Sequence, residues 1–145
     1  MNDEPVEKYT KNFDSWNERQ KLLDATEFQG LLHNREIWWC ALGVNVGSEQ
    51  DGKNDYFERP VLVIRYTRKD VVLIVPITSK ISNHKDRITF NIAGLKQQIL
   101  LSQIKTVSNK RFLRKIGRLG VQLFQEVLIA LGQIILNSAD DETPP

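Results

Sequence analysis

Cysteine and histidine are scarce in this sequence. Its 145 residues include one cysteine, Cys40, and two histidines, His33 and His84. A single cysteine cannot form an internal disulfide, and no CxxC or clustered His/Cys spacing occurs, so we expect no metal and no cofactor. The GxSxG, HExxH, Walker and dinucleotide motifs are also absent, which excludes the enzyme classes that depend on them.

Long apolar runs are missing as well. The most apolar stretches, VVLIVPI and VQLFQEVLIALGQIIL, are shorter than the roughly 20 residues that a membrane helix needs. The N-terminus opens with MNDEPVEK, where a secretory signal would place positive residues before an apolar run. We therefore predict a cytoplasmic protein that does not associate with membranes.

Charge is spread unevenly along the chain. Residues 1–60 hold twelve acidic and seven basic residues, whereas residues 61–138 hold three acidic and thirteen basic ones. The stretch 101–118 has no acidic residue, and its basic residues are Lys105, Lys110, Arg111, Arg114, Lys115 and Arg118. Such a field favours a nucleic-acid backbone as partner, although a solvated basic face would explain the charge equally well.

Periodicity predicts one short amphipathic helix and five strands. The helix falls within residues 11–28, with Asn12 or Asp14 available as its N-cap. The strands are EIWWCAL (36–42), PVLVIRYT (60–67), VVLIVPI (71–77), RITFNI (87–92) and QQILLSQIKTV (97–107). Because no crossover helices separate them, we predict a small closed or half-closed β-barrel.

A second, apolar helix is predicted over residues 121–136. We expect it to dock on the barrel or on a second subunit, through Val121, Phe124, Leu128, Leu131 and Ile135. The polar stretch 138–145 ends in two prolines and is predicted to be disordered. The chain thus divides into an N-terminal extension (1–35), one folded domain (36–137) and a tail (138–145).

Five short motifs follow one another in a fixed order: EIWWCALG, GSEQDG, ERPVLVI, VPITSKI and ILLSQIKTVSNKRFLRKIGRL. In this order they resemble the MazF/PemK toxins. That family shows a strand opening with an acid and an aromatic, a GSEQ-type loop, an RPVLVI strand, a P-I-T-S strand end and a DQI(R/K)T(I/V) strand. The resemblance covers about residues 36–136.

The resemblance implies a mainly β, SH3-like barrel with a C-terminal helix, to which this chain adds an N-terminal helix. It implies a homodimer that cleaves single-stranded RNA without metal, is restrained by a cognate antitoxin, and meets DNA only through the antitoxin complex. Arg59 and Thr78 are then the catalytic pair. The implied RNA-binding residues are Ser48, Glu49, Gln50, Ser79, Gln103 and Lys105.

The implied residue types suit RNA cleavage. RNA supplies its own nucleophile, the 2'-hydroxyl, so an enzyme must mainly orient it and stabilise charge on phosphorus. Arg59 can make paired hydrogen bonds to phosphate oxygens, and Thr78 can add a hydroxyl donor. A plainer alternative pairs Arg59 with Glu58 or Glu49 at the start of a strand.

Two features depart from the family pattern. The insertion KNDYFE precedes the RP motif, which leaves the RNA sequence preference open. Val107 and Ser108 stand where the family often has an acid, so the general acid and base stay open between Glu49 and His84. Two rival hypotheses keep the same barrel without catalysis: a binding toxin resembling the gyrase poisons, or a nucleic-acid-binding co-repressor.

Overall fold

The computed structural model describes residues 9–54 and 56–137 of the chain. Within these residues it contains two α-helices, α1 (Phe13–Asp24) and α2 (Val121–Leu136). The strands are β1 (Glu36–Ala41), β2 (Glu58–Arg68), β3 (Val71–Thr78), β4 (Arg87–Ile92), β5 (Leu95–Leu100), β6 (Lys105–Ser108) and β7 (Phe112–Arg118). The tail predicted to be disordered, 138–145, lies outside the described residues.

The strands form one curled, antiparallel half-barrel. Their order is β4-β5-β3-β2-β1-β7, and β6 pairs with β3 beside this path. Strand β3 changes partner along its length: Val71–Ile74 pairs with β6, whereas Ile77 and Thr78 pair with β5. The end of β3 that carries Thr78 thus joins the β4–β5 hairpin.

Both faces of the central strands are buried. Leu62 and Ile64 of β2 point towards α2, where they meet a cluster that includes Phe124 and Val127. Successive side chains of a strand alternate between faces, and Val61 and Val63 accordingly pack in a second cluster with Phe112, Phe28 and Trp38. This double burial explains why the run PVLVI has no polar alternation.

Helix α1 packs against the long loop between β1 and β2. It begins after Asn12, whose side chain caps it by accepting a hydrogen bond from Ser15 N at 3.0 Å. Trp16 is 5% exposed and lies against Phe57 of the loop, with ring centroids 5.4 Å apart. The amphipathic N-terminal helix is therefore present, and of the two predicted caps Asn12 is the one used.

The structure confirms the mainly β half-barrel and both helices, and it corrects the strand prediction in two places. The run 97–107 was wrong as one strand: β5 ends at Leu100, a 3-10 turn spans Leu101–Gln103, and β6 follows. Strand β7 was missed altogether, because Arg114 and Lys115 interrupt its apolar pattern.

The predicted face of α2 packs on the sheet only in part. Phe124 and Leu131 are buried as expected, and Val127 completes the face. The other three predicted positions, Val121, Leu128 and Ile135, are exposed. Because α2 is apolar on most of its surface, periodicity alone could not select the face that packs on the sheet. No helix among the described residues is long and apolar enough to cross a membrane.

Candidate functional site

Arg59 lies at the second position of β2, where the β1–β2 loop returns to the sheet. The residue as a whole is 6% exposed. Nε donates to the Asp51 carbonyl oxygen at 2.5 Å, and Nη1 donates to the Ile77 carbonyl oxygen at 3.3 Å. The last contact places the guanidinium beside the residue that precedes Thr78.

Gln50 completes the shell around this arginine. Its amide oxygen faces the guanidinium, since only an oxygen can accept from it, and accepts from Nη2 at 2.6 Å. Burial lowers the pKa of Arg59 below its ordinary value, with the nearby Asp51 charge acting in the opposite direction. The alternative pairing of Arg59 with Glu58 does not form, because Glu58 pairs with Arg114 instead.

The loop over Arg59 is held from below by Gln103. The Gln103 side chain accepts from Gln50 N at 3.2 Å and donates to the Ser48 carbonyl oxygen at 3.2 Å. Asp51 fixes the loop internally, because its Oδ1 accepts from Asn45 N at 2.7 Å. Gln103 therefore supports the predicted RNA-binding segment by contact, which its spacing in the sequence did not indicate.

Two clefts meet at Arg59. The loop cleft, about 620 Å³ in volume, contains the predicted residues Ser48, Glu49 and Gln50 together with Arg59. The strand cleft, about 350 Å³, is lined by Trp39, Ile77, Ser79, Leu95 and Arg59 among others. Lys53 and Asn54 also border both clefts. Arg59 is therefore a wall that the two clefts share.

Thr78 ends β3 next to this junction. It is 5% exposed, and its hydroxyl oxygen accepts from Lys80 N at 3.1 Å. That contact leaves the hydroxyl hydrogen available to donate. The structure thus brings Thr78, Ser79 and Arg59 together at one strand end.

The segment after Thr78 is held by Gln98, which the sequence analysis did not single out. Gln98 is 3% exposed; it accepts from Ser82 N at 3.0 Å and donates to the Ser82 carbonyl oxygen at 2.8 Å. Arg87 Nη1 also donates to it, at 3.1 Å. A glutamine in a strand carries no distinctive signal, so only the register with Thr78 identifies this role.

Lys105 lies apart from the other predicted site residues. It lines a depression of about 320 Å³ with Trp16, Asn45 and Arg111. The Arg111 guanidinium already has partners there, since it donates to the Ala41 carbonyl oxygen at 3.2 Å and lies over the Trp16 ring. The depression reaches the β1–β2 loop at Asn45, and it shares no lining residue with the strand cleft.

Neither candidate for the general acid or base lies against the Arg59 guanidinium. Glu49 is exposed in the loop cleft. His84 lies in the β3–β4 loop, where its Nδ1 accepts from Asp86 N at 3.2 Å. The single cysteine is fully buried, and burial raises the pKa of the Cys40 thiol to about 12. Within the part of the chain that the structure describes, no three His, Cys, Asp or Glu residues cluster as metal ligands would.

Comparison with known proteins agrees with this architecture. The model of the PemK-like, MazF-like toxins of type II toxin–antitoxin systems matches residues 33–135. The solved structure of MazF from Deinococcus radiodurans is 17% identical, with a TM-score of 0.62, and the match covers 74% of this chain and 98% of that one. No curated protein matches the chain.

Two mycobacterial structures are also similar. An endoribonuclease from Mycobacterial species is 13% identical, with a TM-score of 0.56, covering 75% of this chain and 95% of that one. An endoribonuclease in complex with its cognate antitoxin, also from Mycobacterial species, is 12% identical, with a TM-score of 0.54, covering 79% and 100%. At these identities the solved structures establish the fold alone.

Fold and site together define a small antiparallel half-barrel whose long first loop closes over a buried arginine. The family match spans most of the chain, and it begins three residues before β1. The chain belongs to the PemK-like, MazF-like toxins of type II toxin–antitoxin systems.

Proposed function

We propose that the protein is a sequence-specific endoribonuclease that cleaves single-stranded RNA without a metal ion. The observation that supports this most directly is the position of Arg59. A fully charged, fork-shaped donor lies where two clefts meet, beside a strand end that offers the Thr78 hydroxyl. Such a pair of donors suits a phosphodiester whose negative charge increases during attack.

In the proposed reaction the RNA 2'-hydroxyl oxygen forms a bond to the adjacent phosphorus. The bond from phosphorus to the 5'-oxygen breaks, leaving a 2',3'-cyclic phosphate and a 5'-hydroxyl. The proton lost by the 2'-hydroxyl is balanced by one gained at the 5'-oxygen. Arg59 stabilises the charge on the phosphate oxygens, while Thr78 donates a further hydrogen bond.

Arg59 must first exchange a partner. The Gln50 amide occupies Nη2 at 2.6 Å, so a phosphate that enters the loop cleft displaces this neutral acceptor. A charged acceptor binds a guanidinium more strongly than an amide does, so we expect the exchange to favour the phosphate. Ser48, Glu49 and Ser79 then line the path of the RNA, with Lys105 further along the surface.

The same proposal assigns the protein's partners. A cognate antitoxin would cover the RNA-binding surface, and DNA would be reached only through that complex, in the cytoplasm.

We also propose a homodimer, since α2 leaves large apolar side chains exposed, with Ile129 at 63% and Leu136 at 78%. Sedimentation of the antitoxin-free protein should give twice the mass of one chain.

The decisive experiment incubates antitoxin-free protein with several long single-stranded RNAs in EDTA and maps the cut ends. We expect cuts within one short shared sequence, with cyclic-phosphate and 5'-hydroxyl ends. Arg59→Lys and Thr78→Val should each lower kcat by roughly 100-fold or more, because each removes a donor from the transition state. Intact RNA under all conditions would contradict the proposal and favour a toxin that binds without cleaving.

Matched variants separate chemistry from folding. Thr78→Ser keeps the hydroxyl and should retain most activity, whereas Thr78→Val removes it at nearly constant shape. Arg65→Lys makes the same change as Arg59→Lys at an exposed position of β2, and it should leave cleavage unchanged. Equal losses at positions 59 and 65 would show that Arg59 has no special role.

A further inference from the structure

The segment before α1 forms one wall of the loop cleft. Residues 9–12 line the cleft opposite the GSEQ motif and lie outside the region of the family match. This wall therefore belongs to the part of the chain that family membership does not explain. The side chain of Tyr9 is 68% exposed, which makes it an open aromatic ring in the same cleft as Arg59.

Lys11 fastens this segment to the loop. Its ammonium group donates to the Gly47 carbonyl oxygen at 2.8 Å and to the Asn45 carbonyl oxygen. The same group lies 3.4 Å from Asp51 Oδ2, and the Lys11 side chain is only 22% exposed. One ammonium thus joins the N-terminal segment to three positions of the loop that covers Arg59.

Tyr9 itself is held through its hydroxyl. The hydroxyl donates to Asp51 Oδ2 at 2.9 Å, and the Asp51 carbonyl oxygen in turn accepts from Arg59 Nε at 2.5 Å. A single residue therefore fixes both the tyrosine and the arginine. An aromatic ring that is fixed at its polar end and open elsewhere loses little conformational freedom when a flat partner stacks on it.

The cleft has the size and chemistry of a nucleotide subsite. Its volume of about 620 Å³ lies in the ordinary range for small-molecule pockets. Val44 and Phe57 supply apolar wall, while Asn12, Lys53 and Asn54 supply polar groups around it. With a phosphate on Arg59, a base attached to the neighbouring ribose would lie within the cleft that Tyr9 borders.

We propose that Tyr9 is a base-stacking residue, which binds the base of a nucleotide next to the phosphate held by Arg59. The inference rests on the proposed RNA-binding function and names its N-terminal subsite. Stacking of a base on an aromatic side chain strengthens single-strand binding by about 5- to 150-fold and tolerates any base. The N-terminal extension would therefore increase affinity, and the polar groups around the cleft would select the base.

The test measures binding of a fluorescent single-stranded RNA that spans the mapped cut. A 2'-O-methyl group at the cut nucleotide removes the nucleophile, so binding is separated from cleavage. Tyr9→Ala should weaken binding by about 5- to 150-fold, whereas Tyr9→Phe keeps the ring and should stay near wild type. Tyr56→Ala is the matched control, since Tyr56 is 60% exposed but lies outside the cleft lining.

An abasic series identifies the base that stacks. In the series each nucleotide near the cut loses its base in turn. At one position the loss caused by Tyr9→Ala should disappear, because the partner of the ring is already missing. A loss that persists at every abasic position would overturn the proposal, as would equal weakening by Tyr9→Phe, which would assign the effect to the hydroxyl anchor.

Failure of the ribonuclease function would look different. If wild-type protein cuts no RNA, binding is measured with fully 2'-O-methylated RNA of random sequence, and the same three variants are compared. Tight binding that depends on the Tyr9 ring would then keep the subsite and reject the catalysis. Cleavage that does not depend on the Tyr9 ring would keep the catalysis and reject the subsite.

Discussion

Glu58 stands directly before Arg59 and binds a different arginine. Both of its oxygens accept from Arg114, at 2.8 and 2.9 Å, and Oε1 also accepts from Asn54 at 3.1 Å. The hydrogen bonds from Arg114 hold the pKa of Glu58 below its ordinary value of 4.5. Alternation along β2 directs the two neighbours to opposite faces. Arg59 is thereby kept from pairing with Glu58, and its acceptors are instead Gln50 and two backbone carbonyl oxygens.

The Glu58–Arg114 pair predicts how stability depends on pH. Because the folded pKa of Glu58 lies below its unfolded value, its stabilisation is complete above the unfolded pKa and is lost as the pH falls through the folded one. Glu58→Gln should lower the free energy of unfolding by about 1–2 kcal/mol at pH 7. Urea unfolding at pH 7 and below pH 4 should also show that this variant loses less unfolding free energy on acidification than wild type does.

Glu126→Gln is the control for that measurement, since it neutralises an exposed carboxylate on α2. It should leave stability within about 0.5 kcal/mol of wild type. If Glu58→Gln behaves like this control at both pH values, the pair contributes nothing to the fold.

Residue identities could be predicted from the sequence only where a motif carries them. Arg59 and Thr78 were reached through the RP and PITS motifs, and the structure brings them to one strand end. Gln98 and Asp51 were not predicted to be important, because their roles depend on partners that the fold brings together. Gln98 contacts Ser82, and Asp51 contacts Tyr9 and Lys11. An isolated Gln or Asp gives no sign of such contacts.

At the scale of elements, α1 depends on a glycine in the loop that follows β1. Gly43 has φ +79°, and a Cβ built on it would lie 1.9 Å from Trp16 Cε2. Both the backbone angle and the close approach require glycine. The contact explains how a short helix outside the family match stays attached to the half-barrel.

Gly43→Ala should therefore displace Trp16 and loosen α1. We expect a fall of roughly 3 kcal/mol or more in unfolding free energy, since backbone strain and overpacking combine. The native emission of Trp16 should also shift to the red. Gly47→Ala is the matched control: Gly47 has φ +59° but nothing within 4 Å of a Cβ. Equal effects at both glycines would mean that strain alone matters.

The β3–β4 loop gives a second prediction at this scale. Gln98→Ala leaves Ser82 N and its carbonyl oxygen without their partner, so the loop after Thr78 should open more often. Trypsin should then cut after Lys80 or Lys85 several-fold faster, as mapped by mass spectrometry. Gln97→Ala, one residue earlier in β5, should not change the rate. Faster cutting in both variants would show that the Gln98–Ser82 hydrogen bonds do not specifically hold the loop.

Element predictions failed where packing, not pattern, decides. The run 97–107 contains no glycine or proline, so the 3-10 turn that moves the chain from β5 to β6 left no mark in the sequence. Strand β7 pairs with β1, and its basic residues form ion pairs with buried acids, Glu58 of β2 and Glu36 of β1. Because these partners are far away in the sequence, the basic residues suggested a surface segment rather than a strand. Helix α2 was predicted with correct bounds, because its length and apolar content are local properties.

Across the whole molecule, the charge asymmetry of the sequence is partly cancelled by folding. Lys110, Arg114 and Lys115 of the basic stretch pair with Asp24, Glu58 and Glu36 respectively. Burial alone would raise the pKa of Glu36, but hydrogen bonds from Lys115, the His33 backbone and Trp38 hold it below its ordinary value. Half of the six basic residues expected to face nucleic acid thus form ion pairs within the fold. Lys105 lines its depression without such a pairing among the described residues.

The difference between paired and unpaired basic residues predicts which lysine contacts an RNA phosphate. Each phosphate neutralised on a single strand contributes about −0.7 to the slope of log K against log salt. Lys105→Gln should therefore reduce the magnitude of the slope by roughly 0.7 for 2'-O-methylated RNA and weaken binding most at low salt. Lys115→Gln makes the same change in the same stretch but removes a partner of Glu36, so its slope should match wild type. If the two slopes change alike, RNA responds to the net charge of the molecule and Lys105 makes no phosphate contact. If only the Lys105 slope changes, the RNA path extends from Arg59 past the loop to the depression beside α1.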